Sequence, residues 1–312
     1  MINKQANSRK VILLLAGALL AGLLARLPGV WWGSNFPGGW YGHHPDEYTH
    51  VLHAQRMINR NQPAFDAESS PAIGLGNPWA AGYSVTPYPK GMAAHISVPV
   101  IAQRILTDKR GTPPPPSAEL IPLGRLVSVL YGTATILVVF LIARRIFHEP
   151  AVALLAAWLM ALGGLHVTQS HFFVADVPAL FWFLLGTLLL WHDLEVDETG
   201  RPAALAAAAF CFGIAFGMKL LVAAFPSLGV AAIMRKYRLW RIALVICFTQ
   251  FGIYIVNLGF YTPRDFFDTV FRGIADPFLF SKLSSTLLYI VELPSLVSFP
   301  MFIAAVIGIP LL

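Results

Sequence analysis

"AALAAAAFCFGIAFGMKLLVAAFPSLGVAAIM", residues 203–234, is apolar almost throughout, with Ser227 and a single charge, Lys219, near its middle. It is longer than the roughly 20 residues that cross a bilayer as a helix. Read as one helix, it would carry the following "RKYRLWR" (235–241), with Arg235, Lys236, Arg238 and Arg241, to the far side of the membrane. Read as two short helices that turn near "FGMKL" (216–220), it returns those residues to the side from which it started. Cytoplasmic loops collect Lys and Arg, so the rest of the chain decides between the two.

The composition sets the frame. The chain has 312 residues, 56% hydrophobic and 12% charged, against about 25% charged in a soluble domain. It is therefore an all-α, polytopic membrane protein. The net charge of +6 does not point to nucleic acid, because the basic residues bunch between apolar runs. Cys211 and Cys247 both lie inside such runs and read as packing residues.

Spans are expected at 11–27, 120–143, 151–168, 174–191, 203–217, 219–234, 239–258 and 293–312. Large loops are expected at 28–119 and 259–292, the first with short interfacial helices and the run "TPPPPS" (112–117), which cannot be helical. The first run follows Lys4, Arg9 and Lys10 and reads as a retained helix with a cytoplasmic N-terminus. Arg144, Arg145 and Arg201 then fall inside, and Asp46, Trp79, His171 and Arg264 outside. The hairpin over 203–234 keeps Arg235 inside too. Each limb has about 15 residues and spans roughly 23 Å, so Lys219 sits at a membrane-buried turn on the outer side. An ionisable group there is a functional candidate.

The outer side also receives "HHPDEYTHVLHAQR" (43–56), which gathers four histidines, an aspartate and a glutamate. Pro45 suits the first position of a helix, and Asp46 and Glu47 suit the positive end of its dipole. Tyr48, Val51, Leu52 and Met57 give that helix an apolar side. Asp46, His50 and His53 share a face at i, i+4 and i+7. His50 and His53, at i and i+3, are also spaced for a divalent metal. Asp176, two residues before Pro178, opens the fourth span on the same side, and a helix cap is its simplest role. Arg125 starts the second span there, and Arg264 and Arg272 lie in the later outer loop. No G-x-G-x-x-G, P-loop or D-x-D stretch occurs, so a group donor would have to be membrane-borne.

Taken in order, these stretches resemble the GT-C class of membrane glycosyltransferases, in the branch of the dolichyl-phosphate-mannose protein mannosyltransferases and the lipid A aminoarabinose transferase. "HPDEYTHVLHAQRM" (44–57) is similar to the acidic motif of their first outer loop. "YPKGMAAHISVPVIA" (88–102) resembles the segment closing that loop, with Lys90 where a second Pro is usual. "GRLVSVLYGTATILVVFLIARRIF" (124–147) resembles the second span, "SHFFVADVPALFWFLLGTLLL" (170–190) the fourth, and "YTPRDFF" (261–267) the next outer loop. Many members have Ser-Arg where this chain has Ser170-His171.

The resemblance implies transfer of a hexose or pentose from a polyprenyl-phosphate sugar to a hydroxyl of a glycan, lipid or protein at the external face of the plasma (inner) membrane. It implies inversion, with Asp46 as general base, Glu47 orienting and Asp176 supporting acceptor or sugar. Arg125, Lys219, Arg264 and Arg272 would meet the donor phosphate. His44, His50, Tyr88, Lys90 and His171 would shape the acceptor side. No cofactor is implied beyond a divalent metal at His50 and His53. Because the chain ends in the apolar "AAVIGIPLL" (304–312), it is expected to be the N-terminal part of a longer protein. A lipid or solute transporter, or a non-catalytic scaffold of the same fold, are the rival readings. A transporter predicts internal repeats between halves, and the sequence has none.

Overall fold

A computed structural model of the chain describes residues 2–32, 44–58, 91–107, 117–194, 202–219 and 239–256. These residues are helical throughout apart from short connections, and no strand occurs among them. Helix α1 (Ile2–Arg26) runs into a 3-10 turn, Leu27–Gly29. Two short helices follow from the first large loop, α2 (Pro45–Ile58) and α3 (Gly91–Leu106). Then come α4 (Ser117–Phe147), α5 (Pro150–Leu162), α6 (Gly164–Ser170), α7 (Asp176–Leu194), α8 (Pro202–Met218) and α9 (Leu239–Val256).

Among the described residues, two stretches are long and apolar enough to cross a membrane, Arg9–Gly29 and Glu119–Phe147. The pair α5 and α6 makes a third if it is one span, bent by 52° at Gly163. The expected span 151–168 is thus a broken one. Helix α8 matches the first limb of the expected hairpin. Its second limb, 219–234, lies outside the described residues beyond Lys219, as do 259–292, 293–312 and most of 28–119. The outward side of α1 is bare apolar surface, with Leu13 71% exposed and Ile12 63%. Water would penalise such a stripe, whereas lipid tails do not.

Small residues hold the helices together, as expected where both lipid and protein are apolar. Ala153, Ala157 and Ala161 line one side of α5 at four-residue spacing and pack against Ala18 of α1 and Ile136 of α4. Helices α8 and α9 touch backbone to backbone. A Cβ on Gly213 would stand 2.2 Å from the carbonyl oxygen of Thr249, and one on Gly252 would stand 2.5 Å from that of Phe210.

The loop helices differ from the expected surface elements. Helix α2 and the first part of α3 are sunk into one end of the bundle, while Val98, Ile105 and Leu106 farther along α3 are exposed. Val51, Ala54 and Met57 of α2 and Met92, Ala93 and Ile96 of α3 share a core with Leu120, Ile121, Phe173 and Met218. The reason lies in the inward stripe of α2, which is Glu47, His50, Val51, Ala54 and Met57, at helical spacing. An interfacial helix would leave such a stripe to lipid; here α3 and α4 cover it. Ser97 ties α3 to α2, its hydroxyl lying 2.7 Å from its own-helix Ala93 carbonyl and 3.4 Å from that of Ala54.

Candidate active site

At the end of the bundle where α2 is sunk, five segments meet. They are the C-terminal end of α1, α2, the start of α4, the loop before α7 with the start of α7, and the end of α8.

Glu47 and Arg125 form the centre of this junction, and both are fully buried. The guanidinium grips the carboxylate with two parallel bonds, Nε to Oε1 at 2.7 Å and Nη2 to Oε2 at 2.9 Å. The backbone N–H of Phe173 adds a third bond to Oε1 at 2.7 Å. Arg125 Nη1 also donates to the carbonyls of Gly29, at 3.2 Å, and of Trp32. Four of the five guanidinium N–H donors are therefore spent inside the protein. A bidentate, charge-assisted pair of this kind fixes geometry as well as charge. Here it fixes α2 against α4, the α1 terminus and the segment entering α7. Sequence reading gave Arg125 a contact with a donor phosphate; the structure places its guanidinium against Glu47. Gly124, beside it, makes room for Phe173, since a Cβ there would lie 2.2 Å from the ring.

Asp46 lies in the first turn of α2, one residue before Glu47. Its side chain lies outside the described residues, as do Tyr88, Lys90, Arg264 and Arg272 entirely.

The second ion pair has a different character. Lys219 Nζ donates to Asp176 Oδ1, with the side chains 24% and 36% exposed. Asp176 is the first residue of α7, where the helix dipole favours a carboxylate, and Lys219 follows the last residue of α8, where it favours a cation. Sequence reading named both residues but not their pairing.

The histidines divide by role. His44 packs on Phe172 and His50 on Phe173, with ring centroids 5.4 and 5.3 Å apart. His171, where many members of the resembled family carry Arg, donates from Nε2 to the carbonyl of Ala25 at 3.0 Å and packs against Gly29, where a Cβ would lie 2.4 Å from its Cγ. It clamps the α1 terminus. His53 is buried beside His50. Among the described residues no three His, Cys, Asp or Glu side chains are grouped to hold a metal.

Burial pushes the His50 imidazole down to about 3, helped by the charges of His53, Lys219 and His44. Folding therefore holds neutral a group that the unfolded chain protonates below about 6.5. The unfolded state then binds more protons, so stability is complete above about 6.5 and is lost progressively as pH falls toward 3. The melting midpoint in detergent is expected to drop between pH 7 and pH 5, and His50→Asn should flatten that part of the profile. An unchanged pH profile in the variant would remove His50 from the effect.

Two polar groups escaped the sequence reading. Arg26, fully buried, donates to the carbonyls of Gly22 at 2.7 Å, Ala161 at 2.9 Å and Met160 at 3.1 Å, and to Ser170 Oγ at 3.3 Å; its Nη2 also meets His166 Nδ1 at 2.8 Å. The carbonyls of Met160 and Ala161 are left over where α5 stops at Leu162, and Arg26 fills the role of a C-cap from another helix. Read along the sequence, Arg26 is only a charge flanking a span. The other group is a chain across three helices. His95 Nδ1 lies 2.8 Å from the Gly91 carbonyl, which can only accept, so Nδ1 carries the proton and Nε2 accepts. Tyr131 then donates its O–H to Nε2 at 2.7 Å and accepts from Trp182 Nε1 at 3.2 Å. Burial lowers the pKa of His95, and the bond to Gly91 opposes the shift. His95 stands inside one of the stretches singled out in the sequence, but nothing local announces partners on two other helices.

Residues 123–262 match the family model described as dolichyl-phosphate-mannose-protein mannosyltransferase. The match covers less than half of the chain and falls on the mannosyltransferase family that the ordered motifs resemble, and the apolar helices accord with an integral membrane protein. The chain is similar to the undecaprenyl phosphate-alpha-4-amino-4-deoxy-L-arabinose arabinosyl transferase of Pseudomonas aeruginosa, 34% identical over 122 residues, which are 38% of this chain and 22% of the relative. The protein of the same description from Pseudomonas paraeruginosa is 31% identical over 139 residues, 39% of this chain and 25% of its own length. The chain thus matches about a quarter or less of the length of these curated relatives. No solved structure matches it.

Proposed function

We propose that the protein transfers a pentose or hexose from a polyprenyl-phosphate sugar to an acceptor hydroxyl at the external face of the plasma (inner) membrane, with inversion. The observation that carries this reading is the junction itself. A buried carboxylate–guanidinium lock seats α2, the helix of Asp46, beside a half-exposed Lys219–Asp176 pair at one end of an apolar bundle. The similarity to enzymes whose names carry a lipid-phosphate sugar supports it.

In this mechanism Asp46 takes the proton of the acceptor hydroxyl as the oxygen attacks the anomeric carbon. The bond from that carbon to the lipid phosphate breaks on the opposite side, and the phosphate leaves with its electron pair. Lys219 offsets the charge on the phosphate, with Arg264 and Arg272 contributing from the later loop. Asp176 holds a hydroxyl of acceptor or sugar. Arg125 and Glu47 act as positioning residues for α2. His44, Tyr88, Lys90 and His171 border the acceptor side.

The test is transfer by the full-length protein in liposomes, with labelled polyprenyl-phosphate pentoses and hexoses and hydroxyl-bearing glycan, lipid and protein acceptors. One label should appear on acceptor. Movement of the labelled lipid between leaflets with no transfer would establish a transporter instead. Accessibility labelling of single-cysteine variants checks the sidedness. Positions 44 and 171 should react from outside, and 144 and 235 only after permeabilisation.

A further inference from the structure

The two ion pairs of the junction are built to different ends. Glu47–Arg125 is fully buried, bidentate and braced by three backbone groups. Lys219–Asp176 is reachable from outside and rests on one carboxylate oxygen. Each of its partners also has separate support, Asp176 from the N-terminal end of α7 and Lys219 from the C-terminal end of α8. Either charge can lose the other without being stranded, which is not so for a pair buried among apolar side chains. The cation nevertheless needs an anion or water at this depth. Arg125 has four donors committed and Arg26 all five, so neither guanidinium can turn to a new anion without breaking the fold around it.

We propose that Asp176 is an internal stand-in for the donor phosphate: the lipid phosphate takes Lys219 from it on binding, and the released carboxylate turns to a hydroxyl of the bound sugar or acceptor. This rests on the reading of the junction as the donor site and adds a competition to it. No covalent bond changes in this step. One ion pair is exchanged for another, and Asp176 Oδ1, which the ammonium occupies beforehand, is released to accept a further hydrogen bond once donor is present. Met218, the residue before Lys219, shares a core with Val51 and Met57 of α2, so the exchange takes place beside the helix that carries Asp46.

The exchange predicts a tightening that a simple phosphate site does not. Sugar-free polyprenyl phosphate is titrated into the full-length protein in nanodiscs, with the corresponding polyprenol as control. Asp176→Asn removes the competitor and should tighten phosphate binding by about two- to fivefold, the range of a partly exposed ion pair. Polyprenol binding should not move. Lys219→Ala should weaken phosphate binding, Lys219→Arg should retain it, and in the Lys219→Ala background Asp176→Asn should no longer tighten it. If Lys219→Ala weakens binding and Asp176→Asn leaves it unchanged or weaker, the donor site stands and the stand-in is refuted. If polyprenyl phosphate binds no better than polyprenol and neither variant matters, the donor site itself is refuted. Retained melting midpoints in the variants separate these outcomes from misfolding.

Discussion

Asp46→Asn in the full-length protein is expected to lower turnover by at least about 100-fold, the lower bound of what general base catalysis contributes. The substitution keeps shape and removes the proton acceptor. Binding of the lipid donor should survive, since a carboxylate is not what a phosphate needs, and the loss of a nearby negative charge favours the anion. The signature is therefore a fall in kcat with donor affinity retained. Near-normal turnover in the variant would remove Asp46 as the base, and a loss confined to donor affinity would reassign it to binding. The melting midpoint should stay close to that of the parent, which separates a loss of the base from a loss of the fold.

Glu47→Gln separates the two neighbouring acids by a different measurement. Its carboxylate is buried and holds Arg125 with two bonds and the Phe173 N–H with a third. Neutralising it leaves the guanidinium uncompensated in the interior, and breaking such a pair costs about 3–5 kcal/mol. The expected result is a large loss of thermal stability with activity falling in step. Arg125→Met should destabilise as well, by stranding the carboxylate. The double variant Glu47→Leu with Arg125→Met should recover part of the loss, because an apolar replacement of both partners is far less costly than removal of one. Abolished turnover in Glu47→Gln at unchanged stability would make Glu47, and not Asp46, the reacting carboxylate.

Much of this arrangement could be read from the sequence, with limits that have physical causes. The start of α2 at Pro45 follows from local rules, because a proline with two acids behind it suits only the first turn of a helix. The long second span follows from the prevailing apolarity of 120–143, in which Arg125 is the only charge. The identity of the inward acid does not follow. Asp46 and Glu47 are adjacent, and the partner that draws Glu47 inward stands 78 positions away. The broken span 150–170 was hidden for a related reason. Average apolarity runs through it, and only Gly163 and Gly164 mark the bend. Lys219 and Asp176 were each conspicuous as charges in apolar surroundings, but their pairing is a fact of packing between α7 and α8. His95 and Tyr131 are ordinary in sequence and become a fixed polar chain only when three helices close on them.

The grip of Arg26 on the end of α5 bears on how the chain is assembled. Helix α1 leaves the ribosome before the other helices described, and its arginine is made more than a hundred residues before its acceptors Met160, Ala161, His166 and Ser170. A charged side chain at the middle of a lone helix costs about 2.5–3.5 kcal/mol on insertion, and one at the rim less. Until residue 170 has emerged, the first helix keeps this charge turned toward water or lipid headgroups. Its final seat thus depends on the arrival of the broken span, so insertion of the N-terminal anchor is completed by a segment translated much later. A chain cut between α4 and α5 would keep the packing of α1 on α4 and yet lack the Met160, Ala161, His166 and Ser170 partners of Arg26.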